Sequence, residues 1–100
     1  MKLKKSDLED LLRSENPYDY EKFWNDRHLN DHDYSRHVVM TGGGMSVDET
    51  LKKVETAGEE ELLAYMTMLF REDHFSESLP ERFAQGWPQK IVERLISFAE

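Results

Sequence analysis

Glu59-Glu60-Glu61-Leu62-Leu63-Ala64-Tyr65-Met66-Thr67-Met68-Leu69-Phe70 is the stretch from which the architecture is read. Three carboxylates at its start suit the positive end of a helix dipole. Leu62, Leu63, Tyr65, Met66, Met68, Leu69 and Phe70 then cover most of a helix's circumference, as expected of a central, deeply buried helix. His74 falls in the last turn, where positive charge is favourable. The apolar run is far shorter than the roughly 18 residues of a membrane span.

Downstream, Ser78-Leu79-Pro80-Glu81 opens a short helix carrying Phe83, and Gly86 stops it. Pro88 restarts the chain, and Ile91, Val92, Leu95, Ile96 and Phe98 make an inward face for the last helix. Upstream, Ser46-Val47-Asp48-Glu49 fits a capping box, Val47, Leu51 and Val54 share a face, and Gly58 fits the residue that ends a helix. Ser6-Asp7-Leu8-Glu9 is a second such box, followed by Leu8, Leu11 and Leu12 in a helix ending near Ser14. Asn16-Pro17 opens the next helix, Asn capping and Pro sitting where no donor is needed. Tyr20, Phe23, Trp24 and His28 make its apolar stripe. The segment 29–45 is the least legible: Val38, Val39 and Met40 fit a short extended segment near 37–41, and Gly42-Gly43-Gly44 is a break. The pattern predicts an all-α compact bundle of five or six short helices, forming one helical domain over 1–100.

The composition narrows the function. With 13 Lys and Arg against 21 Asp and Glu, the net charge is −8. The few clustered cations, Lys2, Lys4 and Lys5, cannot track a phosphate backbone, so direct nucleic-acid binding is not expected. No membrane segment is expected either. The absence of Cys removes disulfide and thiolate chemistry, and the basic start Met1-Lys2-Leu3-Lys4-Lys5 has no apolar region behind it, which points to the cytoplasm.

Catalytic patterns are weak. The glycines complete no GxGxxG or GK[ST] loop, and no nucleophile pattern surrounds Ser35, His37 or Thr41. The acidic pairs read as helix starts and turns. An enzyme is therefore not expected, and neither catalytic residues nor a cofactor are assigned. His28 and His32 would form an i, i+4 pair beside Asp31 if the second helix ran on that far, and could then hold Zn²⁺. The pair lacks the glutamate of HExxH, and His28 falls on the Trp24 stripe, so no metal is assigned.

Binding is what remains. An excess of carboxylates steers and selects a basic partner, and aromatic residues among them supply contact area. Tyr18, Asp19, Asp26, Asp31, Asp33 and Tyr34 combine these features and are the candidate partner-binding residues. The opening Met1-Lys2-Leu3-Lys4-Lys5-Ser6 resembles the start of the helical immunity proteins of nuclease colicins. That resemblance implies a helical inhibitor covering a basic toxin. The paired tyrosines such proteins present have no adjacent counterpart, because Asp19 separates Tyr18 from Tyr20. The function expected is a small acidic protein-binding domain, an inhibitor of the immunity or antitoxin type, that neutralises a basic partner such as a nuclease toxin. The alternatives are a helical adaptor or regulatory subunit using an apolar groove, and a small metal-binding protein using His28 and His32. The oligomeric state is left open.

Overall fold

In a computed structural model, residues 3–31 and 47–99 are described. Six α-helices are present among them: α1 (Lys5–Leu12), α2 (Pro17–Asp26), α3 (Val47–Leu51), α4 (Glu59–Ser76), α5 (Leu79–Ala84) and α6 (Trp87–Ile96). Single 3-10 turns at Leu29–Asp31 and Val54–Thr56 join them. The described residues contain no strand, and the fold is all-α. The extended segment expected near 37–41 and the glycine break lie outside the described residues.

α4 is the central helix that its sequence demands. All nine residues 62–70 are buried, so neighbours cover it on every side. α6 packs against α4 and also against α1 and α5, while α2 lies on α1 and α5. Buried residues of all six helices meet in one cluster, with Trp24, Tyr20 and Tyr65 its largest members. Trp24 packs edge-on to Phe70 at 6.0 Å, and Tyr20 edge-on to Phe83 at 5.5 Å. Among the described residues, no helix is long and apolar enough to cross a membrane.

Several helix ends differ from the sequence reading, each for a local reason. α1 begins at Lys5, and Lys4 rather than Ser6 is its cap. Leu3 and Leu8, both buried, then occupy the positions of a hydrophobic staple. Burying two leucines outweighs one serine hydrogen bond. α2 starts as expected, with Asn16 Oδ1 accepting from the Tyr18 amide at 3.0 Å, but it ends at Asp26. His28 takes a left-handed φ of 56° and is exposed, so it leaves the Trp24 stripe and lets buried Leu29 turn back into the core. Gly58 does not end a helix; it precedes α4, its amide donating to Glu61 Oε1 at 3.4 Å. α3 has already stopped at Leu51, and the turn at Val54–Thr56 keeps Val54 buried. Phe98 would sit inward only if α6 continued. The helix ends at Ile96, and Phe98 emerges 40% exposed with the Arg94 guanidinium 5.2 Å from its ring.

One polar clamp ties three helices. Arg82 of α5 donates to both carboxylate oxygens of Glu72 in α4, at 2.9 and 2.8 Å, and to Asp48 of α3 at 2.7 Å. Its side chain is 13% exposed and that of Glu72 is 20% exposed. Burial alone would raise the Glu72 pKa, but the Arg82 hydrogen bonds and charge prevail and hold it below the ordinary value.

The buried phenols give a check on this packing. Burial, assisted by Glu93, pushes the Tyr20 pKa up to about 12. Burial, assisted by Glu61 (whose Oε2 accepts from the Tyr65 hydroxyl at 3.2 Å), does the same for Tyr65. Both values lie above the unfolded value of 10.0, so the stabilisation is complete below pH 10 and is lost as pH rises through about 12. Alkaline titration followed by phenolate absorbance should show these two tyrosines ionising late, together with unfolding. Complete ionisation of all four tyrosines near pH 10 with the helices intact would contradict their burial.

Candidate functional site

The N-cap at Asn16 and the proline at position 17 fix where α2 begins, and therefore which way its first turn points. Successive residues are about 100° apart around a helix, so Tyr18 and Asp19 serve different flanks. Asp19 and Asp26, seven residues apart, share the flank toward α1. Tyr18 and Glu21 share the flank toward the C-terminal half of α4.

On the α1 flank, Asp7, Asp10 and Asp19 line a groove of about 320 Å³ with Phe23 and Arg27. Arg27 occupies this acidic place itself: its guanidinium carbon lies 3.7 Å from the centroid of the Phe23 ring, and it pairs with Asp7 at 3.6 Å. Ser14 donates its hydroxyl to Asp19. Asp26 stands exposed at the end of the same helix.

On the α4 flank, Tyr18 is 43% exposed. Its phenol pKa is raised, first by partial desolvation and then by the carboxylates of Asp73, Glu77 and Glu21. Beside it a cleft of about 280 Å³ runs between α2, the 3-10 turn at Leu29–Asp31 and α4. Thr67 and Phe70, both buried, are the innermost of its lining residues, and Glu21 and Asn30 belong to the opposing side. Arg71, His74 and Phe75 complete it. Phe75 is 90% exposed, the most exposed of the large apolar side chains described. The His74 ring meets it edge-on at 6.1 Å.

The candidate residues therefore do not form one patch. Tyr18 lies on the flank toward α4, near Asp73 and Glu77 and outside the lining of the cleft, whereas Asp19 and Asp26 belong to the α1 flank. Asp31 closes the 3-10 turn after α2; its side chain, and Asp33 and Tyr34 altogether, lie outside the described residues. The histidine pair requires a helix continuing through His28, and α2 has stopped two residues earlier. His32 itself lies outside the described residues. Among the described residues, no group of three or more metal-ligating side chains comes together.

Protein-family models, curated proteins and solved structures offer no match to this chain.

Phe75 was the residue missed in the sequence. It follows the polar run Arg71-Glu72-Asp73-His74, one turn beyond Arg71, and that polar run was the available signal that α4 had left the core. The arrangement is suited to recognition: carboxylates beside exposed aromatic faces attract a cation, and a preformed cleft accepts an apolar group.

Proposed function

We propose that the chain is a small acidic binding protein that neutralises a basic protein partner, as an immunity protein or antitoxin neutralises a nuclease toxin. The observation that carries this reading is the position of Tyr18: an exposed aromatic ring among Glu21, Asp73 and Glu77, on a chain of net charge −8. Carboxylates around an aromatic anchor steer a cationic partner and exclude acidic ones. The absence of cysteine agrees with action in the cytoplasm.

A second reading, a helical adaptor that binds through an apolar groove, draws support from Phe75 and its cleft. The two differ in how charge enters. For the neutralising protein, Asp19→Lys with Asp26→Lys should cost no more than about 1 kcal/mol, since both sites are exposed and the loss is that of the Ser14 hydrogen bond and of a carboxylate in the first turn of α2. The same double variant should slow association with a basic partner recovered by affinity capture, measured by surface plasmon resonance, with little change in dissociation. Unchanged association would favour the adaptor.

A further inference from the structure

We propose that the cleft between α2 and α4 is where two copies of this chain meet, the Phe75 ring of each copy entering the cleft of the other. The inference goes beyond the basic-partner reading and is independent of it, since that reading is tested at Asp19 and Asp26 on the α1 flank.

The patch carries both halves of such a contact. Phe75 is 90% exposed near the end of a helix whose residues 62–70 are all buried, so its ring is an apolar knob in solvent. The cleft beside it measures about 280 Å³, and an apolar cavity of roughly 150 Å³ already holds a benzene-sized ring. Its inner lining is close to dry, since Thr67 is 2% and Phe70 6% exposed. One wall is also preorganised. The Asn30 Oδ1 lies 2.9 Å from the Thr67 hydroxyl, and the Asn30 amide donates to Asn25 Oδ1. A fixed wall reduces the ordering cost of binding. A knob and a hole on one surface are what a two-fold interface needs, because each contact is made twice with the roles exchanged. The ring that enters meets Phe70, so aromatic contact adds to the apolar area covered.

Charge at the patch suits a second copy, although the whole chain carries −8. Among the described lining residues, Glu21 is the only carboxylate and Arg71 the only Lys or Arg, so the lining holds both signs in balance. A two-fold axis sets the Glu21 of each copy against a lining that contains Arg71. Two nearby carboxylates of α4 are engaged within their own chain, Glu72 by Arg82 and Asp73 by the Leu79 amide at 2.9 Å. The remaining excess of charge is distributed over the chain, and at about 0.15 M salt it is screened beyond roughly 8 Å. Two rings covering about 150–250 Å² each, with their clefts, stay below the roughly 1,200 Å² of a stable interface. The dimer is therefore a reversible one that forms at high concentration.

The test is sedimentation equilibrium, with nuclear magnetic resonance on isotope-labelled full-length protein diluted from millimolar to micromolar concentration. The mean mass of the parent should rise toward two chains with concentration. The amides that shift on dilution should be those of Glu21, Asn30 and residues 67–75. Phe75→Ser should dimerise at least about tenfold more weakly. Its circular dichroism should match the parent, because the ring supports nothing inside. Glu21→Arg and Arg71→Glu should each weaken self-association, and an equimolar mixture of the two should form mixed dimers tighter than either variant alone. A parent that stays monomeric at millimolar concentration overturns the proposal. So does a dimer indifferent to Phe75→Ser, or one whose dilution shifts fall on α1 or α6. None of these results bears on the basic-partner reading, which fails on its own measurement with Asp19→Lys and Asp26→Lys.

Discussion

Trp24→Ala is expected to destabilise the fold by about 3–5 kcal/mol, the range for removing a large aromatic side chain from a packed interior. Trp24 is fully buried on α2 and contacts Phe23 and Phe70, so its ring joins the helix that carries Tyr18 to the one that carries Phe75. Trp24→Phe should cost much less. It keeps an aromatic ring in place and removes an indole N–H that has no hydrogen-bond partner among the described residues. Urea unfolding followed by circular dichroism measures both variants. A loss below about 1 kcal/mol for Trp24→Ala would mean that the core does not close around this residue.

Arg82→Ala should be the next most damaging change, at about 2–3 kcal/mol, because it leaves Glu72 charged and poorly solvated between α4 and α5. The figure lies below that for a fully buried pair, since both side chains keep some exposure. Replacing Arg82 and Glu72 together by Met should recover most of the loss, because the desolvation penalty disappears with the charges. The pH dependence has a definite sign. The Glu72 pKa is lower in the folded chain than its ordinary value of 4.5, so its contribution is present above that value and is lost as pH falls through the folded pKa. The parent should lose stability on that acid limb, and the double Met variant should lose less. Equal acid limbs in the two would remove Glu72 from the account.

The all-α architecture was legible because apolar periodicity is strong where helices are long. The run 62–70 identified α4, and Asn16-Pro17 identified the start of α2, since both signals are local. The corrected positions were set by contacts distant in sequence or by competition between local signals. Ser6 fits a cap by pattern, but burial of Leu3 and Leu8 places the helix start earlier. His28 continues an apolar stripe by spacing, but the chain must reverse there to bury Leu29.

The candidate site was only half legible for a similar reason. Composition identified acidic and aromatic residues near Tyr18 but could not place them relative to α4, 40 or more residues away in the chain. Asp73 and Glu77 join Tyr18, and Phe75 joins Glu21 and Asn30, through tertiary packing alone. Nor does sequence spacing reveal that Arg82 reaches both Glu72 and Asp48, because that clamp depends on how α5 folds back on α4.

If the acidic surface recognises a basic partner, as proposed, the association rate must depend on ionic strength. The Debye length falls from about 30 Å at 0.01 M to about 8 Å at 0.15 M, so attraction between exposed charges weakens strongly across that interval. With the captured partner, the association rate constant should fall by about tenfold or more over the same interval while dissociation changes little. An association rate that stays constant from low to physiological salt would contradict the claim and leave recognition to the apolar cleft alone.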